Sequence, residues 1–314
     1  MARRRVAIPA TFELGDAVTD FLSDHALALS PKTLRAYGYH VGSLRDFAGQ
    51  RGVTALTDIT PDLVRQWLLI ERNRPYSRRG GPQRTMAAST IRNHYSYASR
   101  VLDWCVEQER LEINPMKKVR APKLPQATRH GFEKDELLRM QAQSLTAPGW
   151  LAYRDKALIT LLIGTGARAS ELLTLTEDSF DWPRNRVLLH GKGAKDRWVT
   201  LGRTASKAVR DYLRARPRGA SSFWVSQRHT PLAYGALSMM LGHLGDYCDP
   251  PVPNVTAHRF RHTFASEFYR RHKDLLALRN LLGHTKIEVT ERYLRSLGVE
   301  YGTTTYESPD DWLK

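Results

Sequence analysis

The stretch "LLGHTKIEVTERYL" occupies residues 281–294. Gly283 divides two amphipathic segments, and His284 stands nine positions before Tyr293. Two readings compete here. Both side chains can be ordinary members of amphipathic helices, where a tyrosine is most often half-buried packing. Alternatively, Tyr293 attacks an electrophile and His284 helps to hold it. The rest of the chain has to decide.

A length of 314 residues suffices for one large domain or two of ordinary size. Hydrophobic residues make up 41%, which supports a packed core and argues against global disorder. The 48 Lys and Arg against 32 Asp and Glu leave a formal charge of +16. That excess favours polyanionic partners, because each neutralised phosphate releases condensed counterions. A basic membrane-binding surface is the competing interpretation. Spanning is not supported: the longest apolar run, "ALITLLIG" at 157–164, is far shorter than the roughly 20 residues a membrane helix needs. The start, "MARRRVAIPATF", has a basic cluster without an apolar stretch behind it and is a poor secretion signal. Cys105 and Cys248 are the only cysteines. They make neither a disulfide framework nor a four-cysteine zinc site, and they suit a reducing cytoplasm. A cytoplasmic, nucleic-acid-binding protein with no membrane partner is expected.

The first hundred residues read as a helical bundle. Leu14, Val18, Phe21 and Leu22 recur at helical spacing. Ser30-Pro31 and Thr60-Pro61 each supply an N-cap followed by proline at the first helical position. Behind them run the stripes Leu34, Tyr37, Val41, Leu44, Ala48 and Leu63, Val64, Trp67, Leu68. A fourth stripe is Ile91, Tyr95, Ala98, Leu102 and Cys105. The loop "ERNRPYSRRGGPQRTMAAST" carries Arg72, Arg74, Arg78, Arg79 and Arg84. Most such runs are solvated loops, but the global charge points to contacts with a phosphate backbone. "NPMKKVRAPKLPQATRH", residues 114–130, has three prolines and the cations Lys117, Lys118, Arg120, Lys123 and Arg129. It reads as an extended basic linker able to lie along a duplex. Beyond it the chain is mixed. "GFEKDELLRMQAQSL" and "YRDKALITLLIGTGA" predict helices, the second buried on most faces and ended by Gly164 and Gly166. "RVLLHGKGAKDRWVTL" at 186–201 predicts a β-hairpin, and helical periodicity returns from about residue 205.

Four short stretches carry candidate chemistry. "TGARASEL" places Arg168 just past a glycine turn, at a helix start. "HGKGAKDRW" puts Lys192 at a strand end beside a tight turn. "TAHRFRHTF" holds His258 and Arg261 three apart, on one helical face. The opening stretch adds His284 and Tyr293. Each alone has an ordinary reading: a surface arginine, a solubilising turn lysine, a packed tyrosine. His258 and His262 have an H-x3-H spacing that could bind zinc, but a metal site wants a third protein ligand, and no glutamate directly follows His258. No metal and no cofactor is expected. Together the set suits transesterification at a phosphodiester. Arg168 and Arg261 can fork onto the non-bridging oxygens. Phenol ionises near pH ~10, so Tyr293 needs a base or a strong positive field. Lys192 can protonate the alkoxide leaving group, and His258 and His284 can hydrogen-bond the phosphate or shuttle protons.

In order and spacing these boxes resemble those of the tyrosine recombinases, the group of the phage integrases and Xer recombinases. "TGARASEL" is similar to the family's T-G-x-R-x-x-E-L, "GKG" to its hairpin lysine motif, "HRFRH" to its H-x-x-R-H, and "LLGHTKIEVTERY" to its L-L-G-H box with the nucleophilic tyrosine. "SPKTLRAY" resembles the opening of the family's core-binding domain, so the resemblance covers about residues 11 to 296. It implies a mostly α fold with a small β-sheet: a two-domain DNA clamp of a SAM-like helical bundle and a mixed α/β catalytic domain. The implied divisions are 11–112 for the core-binding domain, 113–130 for the linker, 131–300 for the catalytic domain and 301–314 for a tail. It further implies a 3′-phosphotyrosyl intermediate on Tyr293, a freed 5′-hydroxyl, and a reaction without ATP or metal. A homotetramer on two double-stranded DNA sites would exchange strands through a Holliday junction. By match, Glu171 is a supporting acid near Arg168, His262 supports the phosphate site, and Lys192 rather than Lys195 is the hairpin lysine. The arm-site domain of lambda-like integrases is expected to be absent. The tail is expected to dock on a neighbouring protomer, and an accessory directionality protein is left open. The rivals are a type IB topoisomerase-like enzyme, a non-catalytic DNA-binding protein and a zinc nuclease.

Overall fold

The computed structural model describes residues 12–77, 83–124, 130–191, 196–220, 222–296 and 298. The chain divides into two compact units, Met1–Gln126 and Ala127–Lys314.

The first unit is built on α1 (Leu14–Asp24), α2 (Pro31–Gly49), α3 (Pro61–Asn73) and α4 (Ala88–Glu107). The two proline-led starts work as the sequence implies. The side chains of Ser30 and Thr60 accept hydrogen bonds from the backbone N–H of Thr33 and Leu63, satisfying donors that the first turn leaves orphaned. The four apolar stripes meet in one core containing Leu14, Phe21, Val41, Leu44, Trp67 and Leu102. Trp67 is fully buried, and truncating it to alanine is expected to cost about 3–5 kcal/mol.

Two segments differ from the sequence reading. Within the arginine loop, β1 (Pro75–Tyr76) and β2 (Arg84–Thr85) pair antiparallel as a two-residue ribbon. The basic segment is not extended from its start either. Pro115–Lys118 form a 3-10 turn, and Met116 and Val119 are buried in the bundle core. The charge run hid these apolar residues, whose burial folds the segment back onto α4.

The second unit comprises α5 (Lys134–Ser144), α6 (Trp150–Thr165), α7 (Ala169–Leu173), β3 (Phe180–Asp181), β4 (Arg186–Leu189), β5 (Arg197–Thr200), α8 (Arg203–Ala215), α9 (Tyr234–Asp246), α10 (Ala257–His272), α11 (Leu275–Leu282) and α12 (Ile287–Ser296). The strands form one antiparallel sheet in the order β3-β4-β5. α6 is buried nearly all round, through Ala157, Leu158, Ile159, Leu161 and Leu162. That explains why its sequence shows no polar face. The fold is thus mostly α-helical with a small sheet. Among the described residues, no helix is long and apolar enough to cross a membrane.

Candidate active site

The site is assembled from the ends of helices. α6 stops at Gly166, which takes a left-handed conformation with φ of 59°. A Cβ there would lie 2.4 Å from the Phe264 ring, so only glycine lets the turn press against α10. The next turn places Arg168 at the N-cap of α7, and Glu171 reaches back to accept from the Arg168 backbone N–H at 2.8 Å. The Arg168 guanidinium also donates to Glu171 Oε1 at 2.6 Å, with its side chain 39% exposed.

α10 starts at Thr256, whose side chain caps the N–H of Arg259. It presents His258, Arg261 and His262 at helical spacing. Arg261 is buried. It donates to the carbonyl of Gly166 at 2.9 Å, to that of Leu282 at 2.6 Å, and to His284 Nε2 at 3.2 Å. Gly283 ends α11 in the left-handed region, and His284 follows. Its Nδ1 lies 2.9 Å from Oγ1 of Thr290, a fully buried residue of α12. A guanidinium can only donate, so Nε2 accepts from Arg261. The neutral ring then carries its proton on Nδ1 and donates it to Thr290.

Tyr293 is half-buried on α12. Its ring stacks on His262 with centroids 4.9 Å apart, meets His284 edge-on at 5.8 Å, and lies 6.3 Å from His258. The H-x3-H pair packs edge to face at 4.2 Å beside this ring. Among the described residues, no group of three or more His, Cys, Asp and Glu side chains is arranged to hold a metal ion.

One contributor escaped the sequence reading. Arg197 forks onto Glu171, Nη1 to Oε1 at 3.0 Å and Nη2 to Oε2 at 2.8 Å, and its Nε donates to the Leu281 carbonyl at 2.6 Å. A signal for it exists. In the β4–β5 register Val187 pairs with Val199 and Leu189 with Arg197. Val187, Leu189 and Val199 are buried, so Arg197 holds an inward position. A charge at that register position has to find a partner inside. Thr290 was missed for a different reason: its apolar neighbours on α12 mask a hydroxyl whose partner lies in the preceding turn.

Two guanidiniums, Arg168 and Arg197, therefore hold one carboxylate, and a third, Arg261, lies close enough to feel its charge. Burial alone would raise the Glu171 pKa, but the hydrogen bonds from Arg197 and from Arg168, with the charge of Arg197, hold it at about 2. Burial and the neighbouring Arg168 lower Arg261 to about 10, so it stays charged at neutral pH. Burial, followed by the charges of Arg261, Arg168 and Arg197, brings His284 down to about 4, leaving it neutral. The arrangement is a preorganised surplus of cations beside a phenol, suited to an oxyanion with charge on several oxygens.

Of the other expected residues, Lys192, Lys195, Arg78, Arg79, Arg129 and the tail 301–314 lie outside the described residues. His190 and Asp196, flanking the hairpin tip, approach to 2.9 Å. Arg72, Arg84, Lys118, Arg120 and Lys123 are exposed. Arg74 is engaged by Glu71 at 3.2 Å and Lys117 by Asp103 at 3.0 Å.

Comparison with known proteins follows the same lines. The phage integrase family matches residues 131–298, and the phage integrase N-terminal SAM-like domain matches residues 21–109. Tyrosine recombinase XerC of Haemophilus influenzae (strain PittEE) is 28% identical over 269 residues, which is 84% of this chain and 86% of the relative. Tyrosine recombinase XerC of Escherichia coli (strain K12 / DH10B) is 28% identical over 275 residues, with 84% and 86% covered. Among solved structures, the Tn1549 transposon integrase in complex with a circular intermediate DNA has a TM-score of 0.73 at 16% identity, covering 96% of this chain and 99% of that one. A lambda integrase dimer bound to a COC′ core site has a TM-score of 0.71 at 18% identity, covering 95% and 81%. At those identities the structural likeness concerns the fold alone. Because the integrase match takes in more than half of the residues, this chain belongs to the phage integrase family and is a tyrosine site-specific recombinase.

Proposed function

We propose that the chain cuts and rejoins duplex DNA with Tyr293 as nucleophile. The phenolic oxygen attacks the scissile phosphorus and forms a 3′-phosphotyrosyl bond, while the bond to the 5′-oxygen breaks. Arg168 and Arg261 hold the non-bridging oxygens as negative charge builds on them. The phenolic proton passes to the histidine cluster around the ring, of which His258 is the exposed member. Lys192 delivers a proton to the departing 5′-oxygen. His284 stays neutral and contributes hydrogen bonding rather than charge. The 5′-hydroxyl of a second strand then attacks the phosphotyrosine and restores Tyr293. Because each step exchanges one phosphodiester for another, no ATP is consumed.

On this reading four protomers on two duplexes exchange strands through a Holliday junction, in the integration or excision of a mobile element or in Xer-type dimer resolution. The N-terminal bundle, 11–112, contacts the core site, with Arg72, Arg74, Arg78, Arg79 and Arg84 on the backbone. Lys117, Lys118, Arg120 and Lys123 of the basic segment do the same. The catalytic domain is 131–300. Support comes from the DNA held by the solved neighbours and from the net charge of +16. The observation that carries the reading is the enclosure of Tyr293 by His258, His262 and His284, with Arg261 hydrogen-bonded to the last. The test is covalent trapping: wild type and Tyr293→Phe are mixed with fragmented host DNA, denatured, and the protein-linked ends sequenced. Adducts from wild type alone at a common sequence are expected. Sequence-specific binding without adducts from a nicked version of the bound site would overturn the proposal.

A further inference from the structure

Arg197 is neither exposed nor placed to contact a large substrate directly: its side chain is 8% exposed, against 39% for Arg168. Yet it makes more of the site's hydrogen bonds than Arg168 does. Its fork occupies both oxygens of Glu171, whereas the Arg168 guanidinium shares only Oε1. Its Nε takes the carbonyl of Leu281, as Arg261 takes that of Leu282. The last carbonyls of α11 thus end on two different guanidiniums, just before the turn that delivers His284. Gly283 makes this approach feasible, since a Cβ there would meet Arg197 Nη1 at 3.0 Å and Arg168 Nη1 at 3.6 Å.

Charge accounting gives the arrangement a purpose. Glu171 is buried and negative, and a buried carboxylate binds whatever cation it can reach. With Arg197 in place its charge is matched by a buried guanidinium that is too enclosed to serve the phosphate. Arg168 and Arg261 are then left as surplus positive charge for the phosphate. Without Arg197, the partner remaining within hydrogen-bond distance among the described side chains is Arg168. The carboxylate would then compete with the phosphate for that group.

We propose that Arg197 is a positioning residue for cleavage. It neutralises Glu171 so that Arg168 stays available to the scissile phosphate, and it anchors the Leu281 carbonyl so that His284 keeps its place. This rests on the recombinase chemistry proposed above, and the test separates the two.

The full-length protein is given a nicked duplex bearing the site recovered by covalent trapping. Single-turnover adduct formation and DNA affinity are measured side by side. Arg197→Met is expected to slow adduct formation about 100-fold, as a misplaced catalytic group does, while DNA affinity changes less than about threefold. Arg197→Lys keeps the charge and loses the fork, for a loss of about tenfold. The decisive arm adds Glu171→Gln. Removing the competing charge is expected to restore about tenfold of the rate lost in Arg197→Met, a non-additivity that a merely structural role would not produce. Should Arg197→Met not fold, Arg197→Lys with and without Glu171→Gln carries the same comparison. Adduct formation by Arg197→Met within about twofold of wild type, or a double variant no faster than its single Arg197 parent, would overturn the inference. Absence of any adduct from wild type would instead strike at the recombinase chemistry itself.

Discussion

Each of the two units buries a glutamate whose charge acts on a histidine, and the contrast between the clusters shows what makes one of them an anion site. In the bundle, Glu71 accepts from Ser43 Oγ at 2.7 Å and from the exposed Arg74, and it lies 4.0 Å from His94. His94 meets His40 at 3.3 Å between Nδ1 atoms, and Trp67 closes over the group by donating to Ser43. Here one guanidinium serves one carboxylate. In the catalytic unit two guanidiniums, Arg168 and Arg197, hydrogen-bond one carboxylate, Glu171, and a third, Arg261, stands near without bonding it. In each cluster one histidine is held well below its ordinary value: His40, like His284, is lowered to about 4, chiefly by burial. Burial of a histidine therefore does not mark a site. The unmatched cations do.

The contrast can be broken most severely at Arg261. Arg261→Lys removes the buried fork to Gly166 and Leu282. It should slow single-turnover adduct formation by about 1000-fold. Glu71→Gln in the bundle should leave the rate on bound DNA within about threefold. Equal losses would erase the distinction between the two clusters.

Acid should reveal the bundle next. His40 is depressed to about 4 by burial and then by His94, and His94 is lowered by burial although Glu71 pulls the other way. The unfolded chain binds protons first, near pH ~6.5. Stability is thus complete above that pH and falls as pH drops toward 4, by on the order of 2 kcal/mol. Hydrogen exchange along α2 and α4 between pH 7 and 4 reads this out, and pH-independent protection would refute it. Thr290→Val, nearly isosteric, removes the hydroxyl that fixes the His284 tautomer and should cost about tenfold in adduct formation. A rate equal to wild type would detach Thr290 from the site. The smallest effect is electrostatic. Lys123→Ala should lower the salt dependence of DNA affinity by about one unit of slope. Lys117→Ala should lower it less, because Asp103 already engages that side chain. Equal slopes would mean that the ion pair opens on DNA.

Much of this was legible beforehand where the signal is local. Ser30-Pro31 and Thr60-Pro61 announce helix starts through chemistry confined to four residues. Arg168, Arg261, His284 and Tyr293 stood out because their boxes are short and ordered, and the structure brings these four into one cluster. What remained hidden depends on distance in sequence. Arg197 meets Glu171 across 26 positions and Leu281 across 84, so only its inward strand register hinted at the pair. His40 and His94 stand 54 positions apart, so nothing local in the sequence pairs them. Met116 and Val119 were lost inside a charge run, though their burial turns that segment into part of the bundle.

The most direct test of the phosphate-attacking tyrosine is to find the linked residue. Wild-type protein is trapped on a nicked duplex, digested with trypsin and nuclease, and the nucleotide-bearing peptide is sequenced by mass spectrometry. The expected result is a nucleotide phosphate on Tyr293, the residue that follows Arg292 and so begins its tryptic peptide. A phosphate link on any other side chain, with Tyr293 recovered unmodified, would contradict the proposed site.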